Sequence, residues 1–276
     1  MKKSFLLFFI FATFQNYCQS NQILDFKPGY SPETIYNQTV INSSDYEMTY
    51  SGSEELLEML KENGTENPVK IKNSFNVETV SKTGKIGKDG SFPITIEYLK
   101  AFDKDGKTII PSGTLLFGNA TLSSMPKLDS IVGAGMEENF KKSIFQMVQS
   151  TFNQVAMPEK KLKAGESFSQ ESPLKLPIGG INIEMIITTT YSLKSFTAKS
   201  AFFDIVQVYS MKFTDTTFDS SGSGNGTGKL VYDISNHFVS ENTLNMELNL
   251  NLKHTDFNID LKSKSDYSQL AKISKK

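Results

Sequence analysis

The 276-residue chain contains no arginine and no tryptophan, a single cysteine (Cys18) and two histidines (His237 and His254). Without arginine there is no planar fork for gripping phosphate or carboxylate through paired bonds. The 29 basic residues, all lysine, are balanced by 30 acidic ones, so no net positive face is available to a nucleic acid. The expectation is therefore no nucleic acid partner. Missing tryptophan leaves any sugar-stacking platform to tyrosine and phenylalanine. One cysteine excludes an internal disulfide, and a thiolate metal site has too few ligands. The histidines lack nearby partners in the spacing of a metal site or a catalytic triad, so no cofactor, metal or catalytic residue is expected and the chain reads as a non-enzyme.

A long apolar run is also missing. The most hydrophobic stretch, residues 6–14 behind Lys2 and Lys3, is far shorter than the roughly 20 residues a bilayer-spanning helix needs. A positive start, a short apolar core and polar residues after it describe a cleaved secretory peptide. We assign residues 1–20 to that signal and expect an exported protein, periplasmic or associated with the outer membrane. Two fates of Cys18 stay open. A cut after Ser20 removes it, whereas a cut before it would make it a lipidation site, although Gln15, Asn16 and Tyr17 fit that peptidase poorly. Without the leader, 27 basic residues face 30 acidic ones, a net charge of −3.

What the chain does have is phenylalanine, 21 residues of it, and alternation. Leu244, Met246, Leu248, Leu250 and Leu252 are interleaved with Asn245, Glu247, Asn249, Asn251 and Lys253. Successive strand side chains point to opposite faces, so this is a strand with one oily and one wet side. Phe257, Ile259 and Leu261 repeat the pattern, as do Val69, Ile71, Phe75 and Val77, and Ile94, Ile96 and Tyr98. The last is expected to turn at residues 103–106 and pair with 107–116. In 201–213, Phe202, Val206 and Val208 lie on one face and Phe203, Ile205, Tyr209 and Met211 on the other, which predicts a central strand covered on both sides. Residues 263–276, rich in lysine and weakly patterned, read as a frayed tail.

Two segments carry helical spacing. Ser51 and Glu54 form a capping box ahead of 54–62, which stops at Asn63-Gly64. Residues 137–155 place Phe140, Ile144, Met147, Val148, Thr151 and Phe152 on one wide stripe. The expected fold is α+β: a curved antiparallel sheet of about 9–11 strands, with the long mid-chain helix and the short N-terminal one packed on its apolar face. Residues 21–276 are expected to form one domain, with a weak sub-boundary near 157–165.

Few clusters point to chemistry. The run 221–228, with glycine at every second position, resembles a phosphate cradle, but such a loop must open a helix and a strand pattern follows. It reads as a flexible hairpin connection. Residues 103–106 begin like a calcium loop but lack its later ligands. The helical stripe is the best candidate for binding. Plain core is its ordinary reading, and the functional one is a pocket lined by Phe140, Ile144, Phe145, Met147 and Phe152, with Tyr209 and Met211 on the sheet, where methionine repacks easily around apolar matter.

The stretch 157–168 (Met157-Pro158-Glu159-Lys160-Lys161-Leu162-Lys163-Ala164-Gly165-Glu166-Ser167-Phe168), followed by Tyr191-Ser192-Leu193, the glycine run and Tyr232-Asp233, resembles a family of uncharacterised exported Bacteroidota proteins. The resemblance covers roughly 165–250 and implies an envelope location without supplying catalytic residues. The expected sheet and helix are loosely similar to periplasmic lipoprotein carriers of the LolA type, an analogy of fold. Together these readings predict a non-catalytic envelope protein that holds an apolar ligand, such as an acyl chain, between sheet and helix. The alternative expectation is an accessory subunit docking on an outer-membrane secretion or transport complex.

Overall fold

The computed structural model describes residues 22–178, 181–213 and 219–276. The expected signal peptide and Cys18 lie outside the described residues. The elements in chain order are β1 (Leu24–Phe26), β2 (Thr34–Gly52), α1 (Glu54–Glu62), β3 (Val69–Thr83), β4 (Ser91–Asp103), β5 (Leu115–Thr121), β6 (Ser124–Val132), α2 (Glu138–Val155), β7 (Lys160–Leu162), β8 (Ser167–Ile178), β9 (Ile181–Phe196), β10 (Ser200–Phe213), β11 (Asp219–Asp233), β12 (Phe238–Lys253) and β13 (Phe257–Lys275).

Eleven strands form one antiparallel sheet in the order β6-β5-β4-β3-β2-β13-β12-β11-β10-β9-β8, and β1 pairs with β7 in a small separate ribbon. Most neighbours are successive hairpins. The exception is the central pair β2–β13, which joins the first half of the sheet to the second along a register running from Phe257↔Gly52 to Lys275↔Thr34. The C-terminal segment is thus a central strand and not a frayed tail. Its inward positions include Ser263, Ser265 and Gln269 between Leu261 and Ala271, and these polar residues hide the alternation. Its end is fastened: the Lys276 amide donates to the Glu33 carbonyl (2.9 Å) and the Lys275 ammonium to Thr34 Oγ1 (2.9 Å).

The α+β expectation is overturned. The described residues are mostly β, 64% strand against 11% helix, and among them no long helix lies packed along the sheet as a second layer. Helix α1 has its expected bounds, but its N-cap is Ser53 rather than Ser51, and it buries no residue. Helix α2 has β6 as its main strand neighbour. Only Ile144 and Val148 of its stripe are fully buried, while Phe140 is 43% and Met147 52% exposed. Eighteen residues rise about 27 Å, too little to cover eleven strands spaced roughly 4.8 Å apart. The face is covered piecemeal instead.

Three apolar clusters do this. The first joins α2 to β2, β4, β5 and β6 through Tyr30, Tyr36, Phe92, Ile94, Leu116, Ile144, Val148 and Phe238. The second lies beneath the β1–β7 ribbon, where Phe26 meets Phe168, Phe203 and Tyr232 with ring centroids 5.6, 5.1 and 4.8 Å away. The third gathers Leu250, Leu252, Ile259 and Leu261 at the other end of the strands. The opposite face is wet and laced with pairs such as Lys100–Glu78 (3.0 Å) and Lys264–Glu247 (2.9 Å).

Two further expectations are corrected. Strand β10 is covered on one side only: Phe203 and Ile205 are buried, but Phe202, Val206 and Val208 are 42%, 48% and 54% exposed. The hairpin partner of β4 starts at Leu115, not at 107. Asp103 Oδ1 there accepts from the amides of Asp105 (3.0 Å) and Lys107 (2.9 Å), which makes 103–106 a turn.

Candidate functional site: a cavity at the seam of two cores

The glycine run is no loop. Residues 221–228 lie inside β11, between β10 and β12, and period 2 puts Gly222, Gly224, Gly226 and Gly228 on one face. Neighbouring side chains lie across the space that Cβ atoms would fill. A Cβ on Gly224 would stand 2.9 Å from the Tyr209 ring, one on Gly226 2.9 Å from Gln207 Oε1, and one on Gly228 would collide with the Thr243 carbonyl. The residues that look most mobile in the sequence therefore form a thin strip of sheet beneath packed side chains.

Beside this strip, between the first and second clusters, lies a cavity of about 390 Å³. Its walls come from the C-terminal end of α2 (Thr151, Gln154), β8 and β9 (Gln170, Ile187), and β12 (Leu244, Met246). Met125 of β6 and Gln170 of β8 both line it, although these strands are opposite edges of the sheet. In a flat sheet ten strand spacings would separate them by about 48 Å, so the sheet curls strongly. Helix α2 clasps the two edges. Gln149 Oε1 accepts from the Leu128 amide (2.8 Å) and its Nε2 donates to the Pro126 carbonyl (3.3 Å), which satisfies exposed edge groups of β6. At the helix end, Gln170 Nε2 of β8 donates to the Ala156 carbonyl (2.7 Å). A more open hollow of about 460 Å³ beside α1, lined by Leu57, Leu60, Lys61, Thr65, Glu66 and Asn67, belongs to a helix with no buried residue.

The cavity's polar groups fall into rows that the register creates. Gln170 is opposite Thr189, Thr189 opposite Gln207, and Gln207 opposite Gly226, so one rung of uncharged polar side chains crosses three strands. Asn242 and Gln269 are likewise directly paired. Within the rung, Gln207 Nε2 donates to Thr189 Oγ1 (3.1 Å), and Gln207 Oε1 accepts from the Tyr209 hydroxyl (3.0 Å). Tyr267 donates to Gln269 Oε1 (3.0 Å). Burial pushes the phenols of Tyr191 and Tyr267 up to about 12, so both stay neutral. Among the described residues, four buried side-chain oxygens have no hydrogen-bond partner in the protein, and two of them, Gln170 Oε1 and Asn242 Oδ1, are wall residues of this cavity. Each such acceptor costs about 1–3 kcal/mol while unmet.

The residues predicted to form a pocket are not brought together as one. Ile144, Phe145 and Phe152 belong to the first cluster, Phe140 and Met147 face outward, and Met211 lies against the third cluster. Tyr209 stands next to the cavity wall through its bond to Gln207. The true lining was missed because its polar members, Gln170, Thr189, Gln207, Asn242 and Gln269, each break an oily alternation. That break at an inward position was the available signal.

The histidines lie elsewhere. The Tyr232 hydroxyl accepts from the Lys27 amide (3.1 Å) and shares a hydrogen bond with His237 Nδ1 (3.0 Å), and His254 stacks on Phe257 with ring centroids 4.9 Å apart. Among the described residues no group of three or more histidine, cysteine, aspartate or glutamate side chains could hold a metal, and no helix is long and apolar enough to cross a membrane. No protein-family model and no curated protein matches the chain.

Proposed function

We propose that this is a non-catalytic cell-envelope protein that binds an apolar, lipid-like ligand in the cavity between the curled sheet and the end of α2. The observation that carries this reading is the cavity itself. Its volume of about 390 Å³ lies in the range of small-molecule sites, and hydrocarbon from Met125, Met157, Ile187, Phe238, Leu244 and Met246 dominates its walls. The groups converging on it are amides, hydroxyls and hydrocarbon, a set that holds a ligand without reacting with it. Met125, Met157 and Met246 let the walls adapt to chains of different shape. An exported location follows from the leader pattern of residues 1–20.

Mass spectrometry of the protein purified from its native host tests the reading, with extraction of bound lipid and intact mass of the polypeptide. A stoichiometric apolar ligand is expected, and the intact mass reports the fate of Cys18. Protein that carries nothing, and that fails to take up a solvatochromic apolar dye, would sink it.

A second reading, docking on an outer-membrane complex, is favoured by one observation. Phe202, Val206 and Val208 of β10, with Ile186 of β9, expose a contiguous apolar stripe on the outer face of the sheet. Val206→Lys with Val208→Lys would release the protein from membrane-complex fractions under that reading and leave its fractionation unchanged under the first.

A further inference from the structure

We infer that the cavity excludes anionic lipids and that its ligand is an uncharged one, such as a fatty alcohol or an acyl ester. The inference rests on the ligand-binding reading above and names the chemical class of its ligand.

Three observations carry it, and the first is the wall. No lysine, aspartate, glutamate or histidine is among the described residues that line the cavity. Strand alternation is the cause. Glu171, Glu241, Glu247 and Asp266 each adjoin a lining residue in the chain, and each is exposed on the opposite face of the sheet. A carboxylate or phosphate drawn inside would meet no counter-charge, and an unpaired buried charge is strongly disfavoured.

The second observation is the mouth. Thr151 and Gln154 of α2 are the exposed lining residues, so the cavity meets solvent beside the C-terminal end of that helix. The last carbonyls of a helix form the negative end of its dipole, and the last turn of α2 has no basic residue to offset it. The third is the cation that adjoins the wall in the chain. Lys27 precedes Pro28, a lining residue, and its ammonium is already paired with Asp25 Oδ2 at 2.9 Å. An acyl chain ending in a free carboxylate thus finds no favourable place for its charge, inside or at the mouth. An alcohol or ester has no charge to place.

Two probes of ten carbons each test this: decan-1-ol, and decanoate at pH 8. Their affinities for the mature protein are read by displacement of a solvatochromic apolar dye. The alcohol is expected to bind at least about 10-fold more tightly than the carboxylate. Gln154→Lys, which sets an ammonium beside the mouth, should tighten decanoate about 3- to 10-fold and leave decan-1-ol within about 2-fold. Decanoate that binds as tightly as the alcohol overturns this inference while the ligand-binding reading stands. So does a folded Gln154→Lys variant that leaves decanoate unimproved. Failure of both probes, and of hexadecan-1-ol and hexadecanoate, removes both readings. The probe pair on the unaltered protein decides the matter even if the variant does not fold.

Discussion

Two alanine substitutions on one face of β11, two residues apart, should have opposite consequences. At Gly228 an added Cβ collides with the carbonyl oxygen of Thr243, a backbone atom of β12. Relief requires the two central strands to move apart, and overpacking of this kind costs about 1–3 kcal/mol. Replacing glycine by alanine returns about 0.4–1 kcal/mol through the unfolded chain. The net loss is roughly 1–2 kcal/mol, which for a domain of this size lowers Tm by about 2–8 °C. At Gly226 the new Cβ would meet Gln207 Oε1 at 2.9 Å, Gln207 Cβ at 3.2 Å and Met246 Cγ at 3.3 Å. The closest of these is the tip of a side chain, and the ends of both Gln207 and Met246 can swing toward the cavity they line. The same gain from the unfolded chain nearly cancels the cost, so Gly226→Ala should hold Tm within about 2 °C and instead shrink the cavity and weaken dye uptake. Circular dichroism melts of both variants at equal concentration check this. Equal Tm shifts, or a tolerated Gly228→Ala with a damaged Gly226→Ala, would refute the account of the glycine strip.

Phe26→Ala should destabilise the chain by about 3–5 kcal/mol, because the ring is buried among three aromatic neighbours; denaturant titration reads the loss. Gln149→Leu removes the partner of the Leu128 amide and of the Pro126 carbonyl. Hydrogen exchange at Leu128 should quicken by one to two orders of magnitude while β2 and β13 stay protected, and unchanged exchange would mean that α2 does not clasp the edge. Burial raises the phenols of Tyr98, Tyr191, Tyr232 and Tyr267 to about 12, against about 10 in the unfolded chain. Their contribution to stability is complete below pH 10, falls as the unfolded state releases its protons, and is gone above 12. Tyrosinate absorbance should therefore rise late and together with unfolding. A smooth titration of every tyrosine near pH 10 in folded protein would contradict their burial.

Local pattern reaches a definite limit in this chain. The alternations in β4, β12 and the start of β13 are read correctly because one face is uniformly apolar and the other largely polar. Where the inward residues are glycine, serine or glutamine, the same rule misleads. Residues 221–228 look like a loop and 263–276 like a tail, yet 224–228 and 263–270 are paired with strands on either side, while 221–223 pair with β12 and 271–275 with β2. Periodicity reports contrast between faces, and these strands have almost none. The stripe of 137–155 is a true helix, but periodicity cannot tell whether such a stripe covers a sheet or clasps its edge.

The candidate site was illegible for a related reason. Gln170, Thr189 and Gln207 are separated by 19 and 18 positions in the chain, and only strand register brings them level. Composition and the alternation of oily and wet residues were enough to mark an arginine-free chain built on an antiparallel sheet, because those properties are local or summed. The order of the strands, the curl that brings opposite edges to one cavity, and the two acceptors left unmet in its wall were decided by tertiary structure. Each depends on which distant residues are held side by side, and backbone pairing across the sheet fixes that.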